Sequence, residues 1–269
     1  MKDAQDVYTH GHHASVLRSH SWRTVENSSS YMLNLLEPGQ DLLDVGCGPG
    51  TITIGLANRV FPGKVIGIDT SDEVLSCARQ EAASYELDNI EFKNQNVYSL
   101  EYDDESFDVI HVHQVLQHLA QPVRALEQMR RLLRPNGFLA VRESDFGAFT
   151  WSPPDPLLDR WLELYYQVTN KNGADANAGR SLLAWVHAAG FSTTNVSGST
   201  WTFADNDSRS WWGGLWAERM IRSDLASQAC DYGFSSPSEL QSISNAFKKW
   251  SNSPDGYFSV FSTEVIAWH

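Results

Sequence analysis

A chain of 269 residues, 42% of them hydrophobic, is long enough to bury a sizeable core, either as one large α/β domain or as one domain with a cap. Its net charge of −13, with no basic run, excludes a nucleic-acid partner, because neutralising phosphates takes clustered Lys and Arg. It has neither a long unbroken apolar stretch nor a charged-then-apolar leader, so the expectation is no membrane span, no secretory signal and a cytoplasmic location.

The amino-terminal segment carries Tyr8, His10, His12 and His13. Alternating and adjacent histidines without a second ligand cluster are a weak zinc signal, so no metal is expected and the segment reads as solvated or as a lid. Arg23 and Thr24 open a stretch with helical apolar spacing over 25–37. Leu42, Leu43, Asp44 and Val45 then form an apolar strand running into Gly46-Cys47-Gly48-Pro49-Gly50, followed by helical spacing over Thr51–Val60. Glycines at alternate positions let the backbone approach a ligand with no β-carbon in the way, and the free amides of the helix start point into the turn. The spacing is not the dinucleotide fingerprint, and the lysine of a phosphate-cradling loop is missing. With Asp44 just upstream, the turn suits a cationic or zwitterionic ligand. Cys47, Cys77 and Cys230 fit no metal or disulfide pattern, and Cys47 and Cys77 read as small apolar fillers.

A second apolar strand over 64–68 ends in Asp69, where doubly wound folds place an acid on ribose hydroxyls. Thr70 reads as the cap of the next helix, with Glu73 completing a capping box. Strands follow at Ile90–Asn94 and Phe107–His113, and a helix over 122–133 stops ahead of Pro135. Strands alternating with helices imply a mostly parallel sheet with right-handed crossovers. Past Glu143 the regularity changes. A breaker-rich link over 151–156 precedes expected helices over 157–169, 180–189, 208–232 and 239–251 and expected strands at Thr193–Phe203 and Tyr257–Trp268. The long segments between the late strands are read as helices covering the carboxyl ends of the strands, where open α/β sheets bind ligands. The layout is one structural domain: a lid over 1–40, an α/β core over 41–147, and a stretch over 148–269 that completes the sheet and adds a helical cap.

Ten tryptophans are many for this length. Trp151, Trp201, Trp211, Trp212 and Trp216 fall in the cap and, with Tyr8 closing the lid, are candidate walls for an apolar small-molecule acceptor; core packing is the alternative use of each. The run over 211–216, with two glycines, reads as a flexible aromatic wall. Arg23 and Thr24 are placed to fold over a ligand and meet its carboxylate. Glu143 and Asp145, after the fifth strand, sit where an acceptor proton would be taken or are solvated loop acids.

The glycine turn, Asp69, the Phe107-Asp108-Val109-Ile110-His111 strand with Val115-Leu116-Gln117-His118 after it, and the Arg134-Pro135-Asn136-Gly137-Phe138-Leu139 turn together resemble the class I methyltransferases that use S-adenosylmethionine. The resemblance covers about the first 145 residues and points to the subgroup of quinone-biosynthesis C-methyltransferases and fungal small-molecule methyltransferases. It implies a Rossmann-like α/β fold with a mostly parallel seven-stranded sheet, helices on both faces and a helical cap. It also implies roles: Asp44, Gly46, Cys47, Gly48 and Gly50 form the cofactor turn, Asp69 meets the ribose with Thr70 beside it in the cofactor site, and Asn96 meets the adenine amine where the family usually has aspartate. Val97 offers its backbone amide to the ring, and His113, Gln114 and His118 lie by the methionine end. The segments over 8–13 and 21–28, with the Trp-rich tail, are similar to the fungal thiol methyltransferases that cap the reduced dithiol of epidithiodiketopiperazines such as gliotoxin.

Methyl transfer from a sulfonium is an in-line displacement in which positioning alone lowers the barrier by about 7–11 kcal/mol, so no strong base is obligatory. A thiol already supplies a few per cent thiolate at neutral pH, and His113, His118 or Asp145 would suffice as an assistant. A quinol carbon or phenolic oxygen is the alternative acceptor and wants firmer deprotonation. The segment after the fourth strand, Val112-His113-Gln114-Val115, lacks both the Asn-Pro-Pro-aromatic run of nucleobase-amine enzymes and the paired glutamates of protein-arginine enzymes. A cofactor-binding module without turnover is the remaining non-enzymatic reading.

Overall fold

The computed structural model describes residues 6–11 and 13–269; His12, one of the three early histidines, lies outside the described residues. Four parallel pairings build the first half of the sheet. β1 (Leu42–Val45) lies between β2 (Val65–Asp69) and β4 (Phe107–His113), with β3 (Ile90–Asn94) outside β2 and β5 (Leu133–Ser144) outside β4. β8 (Tyr257–Trp268) runs antiparallel to β5 on one edge and to β7 (Thr193–Phe203) on the other. The sheet is thus the expected α/β sheet, parallel in its first five strands and mixed by the antiparallel β8, with one strand more than the seven expected. β6 (Thr150–Ser152) pairs with Tyr257, Phe258 and Ser259, extending the β5 edge of β8 after a one-turn excursion through 3-10 residues Phe146–Ala148.

Both faces are covered. On one, α5 (Pro122–Leu132) and α7 (Ala178–Ala188) pack Leu126, Met129, Leu182 and Val186 against Leu43, Val45, Ile110 and Val141. On the other, α3 (Thr51–Val60) and the short α2 (Val25–Ser28) pack Leu56, Val60 and Val25 against Leu42, Val65 and Val109. α4 (Asp72–Ala83) closes a small cluster around Phe92 and Cys47. A third core stands beyond the strand ends, where α6 (Pro156–Lys171), α8 (Asn206–Arg222), α9 (Asp224–Asp231) and α10 (Pro237–Ser251) surround Trp161, Trp212, Trp216, Phe247 and Phe258. α1 (Ala14–Ser21) lies against α8.

Several local expectations change. The helix over 25–37 breaks after one turn because Ser28, Ser29 and Ser30 compete with helical hydrogen bonding; Ser29 sits at φ −132° and a 3-10 turn, Ser30–Leu35, follows. Ser71, not Thr70, caps α4: its hydroxyl accepts from Val74 N at 3.3 Å, while its own amide donates to Asp69. The 208–232 helix divides at Ser223, whose hydroxyl donates to Arg219 O at 2.8 Å. The run over 211–216 is not a flexible wall but the middle of α8. A β-carbon on Gly213 would lie 2.7 Å from Ser251 Cβ and 3.0 Å from Phe247 O, so that glycine lets α8 and α10 approach closely.

Candidate active site

The carboxyl ends of β1, β2 and β4 open into a cavity of about 600 Å³ roofed by the amino-terminal segment and α8. Its floor is the glycine turn. Gly46 and Gly48 have φ of +69° and +55°, values that side-chain-bearing residues resist. A β-carbon on Gly46 would strike Val115 at 2.3 Å, whereas one on Gly48 would meet nothing within 4 Å, so Gly48 faces open space. The Gly48 amide donates to Asp69 Oδ2 at 3.1 Å and the Ser71 amide to Asp69 Oδ1 at 3.1 Å; each oxygen keeps a lone pair for a hydroxyl. Gly50, φ +82°, turns away from the cavity toward Ala78 and Phe92 and shapes the turn from behind. Burial holds the Cys47 thiol well above its ordinary pKa, an inert filler.

Asp44 belongs to a sealed polar chain. Its Oδ2 accepts from Thr53 Oγ1 at 2.6 Å, its Oδ1 lies 2.7 Å from His111 Nδ1, and His111 Nε2 lies 2.9 Å from Ser29 Oγ. These are the residue types of a hydrolytic triad, but Ser29 and His111 are fully buried, so the chain ties the amino-terminal segment to the turn and presents no nucleophile.

Beyond β4 the backbone is strained at one point. Gln114 has φ +55°, and there it reaches both ways: its Oε1 accepts from Arg23 Nη2 at 2.7 Å and its Nε2 donates to Ser144 Oγ at 2.5 Å. Glu143 fixes the loop that follows, accepting from the amides of Val115, Leu116 and Gln117 at 2.9, 2.7 and 3.3 Å. Burial lifts its pKa to about 7 against those three donors.

His113 is buried with neither ring nitrogen partnered among the described residues, its ring 6.3 Å from His111 and 5.8 Å from Trp201. Burial first, then Arg23 and Arg142, keeps it well below the usual histidine range. Burial, then Arg219, lowers His10, burial, then Arg23 and Arg219, lowers His20, and His118 is pushed down to about 3 by burial and Arg23. Four neutral imidazoles therefore face two guanidinium groups, Arg23 and Arg219.

The aromatic wall is held by hydrogen bonds and ring contacts. Trp201 Nε1 donates to Asn27 O at 2.6 Å, and its ring carries Arg142 at 4.5 Å on the way to β5 and Arg23 at 5.5 Å. Trp22 joins Trp201 to Trp211 at centroid distances of 5.3 and 5.1 Å. In the roof, Tyr8 stacks edge-on against His118 at 4.9 Å, and His10 Nε2 lies 3.0 Å from Tyr165 Oη. His13 caps α1 by accepting from Ser15 N. The adenine-side positions also line the cavity: Asn96 Oδ1 accepts from Tyr98 N at 2.9 Å, with Val97 buried beside it and Thr70 at the rim.

The cavity gathers most of the expected site residues and leaves out four. Thr24 is exposed and caps α2, its hydroxyl accepting from Asn27 N at 3.3 Å. Gly50 lies behind the turn. Asp145 is held by Arg180 through two 2.7 Å hydrogen bonds and does not line the cavity, so it is not positioned to take an acceptor proton. Trp151 stacks on Phe258 at 5.6 Å in the third core. Conversely, His20, Phe146, Phe149 and Arg219 line the cavity without having been singled out. Only Arg219 had a legible signal: it follows Trp212 and Trp216 at helical spacing, on one face of α8.

Residues 36–190 match a family model described as a methyltransferase domain. An uncharacterized methyltransferase of Schizosaccharomyces pombe is 32% identical, covering 97% of this chain and 96% of its own length. A probable methyltransferase of Aspergillus luteorubrus is 26% identical over 97% of this chain and 96% of its own. The crystal structure of a putative methyltransferase from Bacillus halodurans superposes with a TM-score of 0.58 at 17% identity, covering 88% of this chain and 96% of that one, which shows the shared fold. Together with the glycine turn, the strand-ending acid and the cavity above them, these likenesses establish that the chain belongs to the class I S-adenosylmethionine-dependent methyltransferases.

Proposed function

We propose that this methyltransferase acts on the free thiols of a small apolar metabolite of the reduced epidithiodiketopiperazine type, giving a bis-methylthio product and S-adenosylhomocysteine. One observation carries the choice of thiol. The acids expected at the mouth are both engaged, Glu143 by three amides and Asp145 by Arg180, the acids that line the chamber are themselves hydrogen-bonded, and the histidines facing it are neutral. Such a chamber suits an acceptor that ionises readily, and a thiol, with a pKa of about 8.5, does so where a phenol near 10 or a quinol carbon does not.

In this reading the cofactor supplies a methyl carbon made electrophilic by its sulfonium. Asp69 accepts from the ribose hydroxyls with its remaining lone pairs, Asn96 and Val97 meet the adenine edge, and the turn from Gly46 to Gly48 lets the backbone come close. Arg23, oriented by Gln114 and the Trp201 face, meets the carboxylate of the methionine end. Trp201, Trp211, Trp212 and Trp216 exclude water. Tyr8 covers the roof, and burial raises its phenol to about 12, so it stays protonated. His113, kept neutral by burial and with neither ring nitrogen partnered among the described residues, is the group placed to receive the thiol proton.

The test is incubation of the purified protein with methyl-labelled cofactor and, separately, a reduced dithiol, a monothiol, a catechol and a quinol, with products identified by mass spectrometry. Label on both sulfurs of the dithiol, at rates well above the other acceptors, is the expected result. Transfer to the quinol or catechol alone overturns the thiol assignment. Binding of cofactor with no transfer to any acceptor would support the module without turnover.

A further inference from the structure

Arg219 is 5% exposed and lies on the face of α8 that Trp212 and Trp216 also occupy, at the roof end of the cavity. Its Nη2 donates to Ser15 O at 3.2 Å and to Ser19 Oγ, both neutral groups of α1, and its charge lies 5.1 Å over the Trp216 ring. Its Nε is buried with no hydrogen-bond partner among the described residues. No carboxylate among the described residues pairs with it. Glu218, its neighbour in sequence, is engaged by Arg18; Asp44 is engaged by Thr53 and His111, and Asp69 by two amides. Asp6, the remaining acid on the cavity wall, accepts from Ala120 N.

A buried cation without an anion is costly, and the charge of Arg219 is felt across the cavity: it helps depress His10, His20 and Arg23. Arg23 has Glu143 within electrostatic range and Gln114 in contact, and the donor's carboxylate completes its surroundings. Arg219 feels Glu218 only at a distance, and among the described residues no carboxylate contacts it. From this unmatched guanidinium in an aromatic chamber we infer that the methyl acceptor binds as an anion against Arg219, which makes the substrates weak acids whose conjugate base carries the attacking lone pair. This rests on reading the cavity as the acceptor chamber and deepens the proposed function.

The step balances. The acceptor's proton leaves to solvent or to His113, the anion's lone pair forms the new bond to the methyl carbon, and the breaking bond leaves its pair on the donor sulfur. One positive and one negative charge disappear together, so an apolar chamber favours the transfer, and the neutral product loses its attraction to Arg219 and is free to leave.

The test uses a pair of inert probes on protein saturated with S-adenosylhomocysteine: 2-naphthoate and its neutral isostere 2-naphthamide, titrated calorimetrically. The carboxylate is expected to bind about tenfold or more tightly than the amide. Arg219→Gln, which keeps a donor for Ser19 but no charge, should erase that preference; Arg219→Lys should restore part of it; S-adenosylhomocysteine affinity should stay the same in both. A merely structural Arg219 would leave the charge preference intact in the glutamine variant. Equal affinity of the two probes for the wild type, binding of neither, or a preference that survives Arg219→Gln overturns the proposal. If the glutamine variant does not fold, the wild-type comparison and the lysine variant decide. Charge preference without thiol methylation would sink the thiol assignment and keep this one; thiol methylation without charge preference would do the reverse.

Discussion

The two halves of the cavity are built by different means. The half proposed to hold the donor is made by segments that run close together along the chain: a strand, a glycine turn, and an acid 25 positions after Asp44, linked by backbone contacts such as Gly48 N to Asp69. The half proposed to hold the acceptor is assembled from the two ends of the sequence. His10 meets Tyr165 across 155 positions, Trp201 meets Asn27 across 174, and Arg219 meets Ser19 across 200. In the first, backbone conformation makes the site; in the second, side-chain packing does, and the wall is also a core.

That contrast predicts which substitutions unfold the protein and which only empty a site. Trp216→Ala removes a side chain at the junction of wall and core and should cost about 3–5 kcal/mol of stability in urea unfolding; a cost below about 1 kcal/mol would show that the wall is not a core. Asp69→Ala should do the opposite, weakening S-adenosylhomocysteine binding about a hundredfold by calorimetry, roughly 2.7 kcal/mol, while unfolding shifts by no more than about 1 kcal/mol.

Acid should attack the roof and wall first. His10, His20, His113 and His118 are held neutral in the folded chain, with pKa values below the unfolded value of about 6.5, so the unfolded state binds more protons below that pH and stability falls as pH drops from about 6.5. Each contributes about 1.4 kcal/mol per pH unit in that window. Glu143, raised to about 7, works the other way between about 4.3 and 7, one group against four. Urea titrations of the ligand-free protein between pH 7.5 and 5 should show the decline, and His20→Gln should flatten it by about one proton; a flat profile would mean that these imidazoles are hydrated. The smallest effect is expected at Thr24→Ala, about 1 kcal/mol of stability from the lost cap with cofactor affinity within about twofold. A larger loss of affinity would return Thr24 to the cofactor site.

The same contrast explains what could be read from sequence. β1, the turn, Asp69, β4 and both long late strands were legible because their signals are local: apolar runs, glycines and strand-ending acids. The break at Ser29 and the cap at Ser71 were not, since neighbouring serines and threonines offer several equivalent caps and only tertiary geometry selects one. Asp145 looked like a base because it ends a strand at the mouth; that Arg180 takes it is a fact of α7 docking on β5, 35 positions away. Trp151 and Trp216 carry the same composition signal, yet one packs outside the cavity and the other lines it.

Gly213 touches nothing in the cavity, yet it fixes how far α8 stands from α10, and α8 carries Trp212, Trp216 and Arg219 as one unit. Chamber size is therefore set from behind, at the back of a helix, like the spacing of a jaw set at its hinge. A side chain at position 213 would press on Ser251 and Phe247 and so shift all three wall groups at once, changing the chamber from a position outside it while the glycine turn stays as it is.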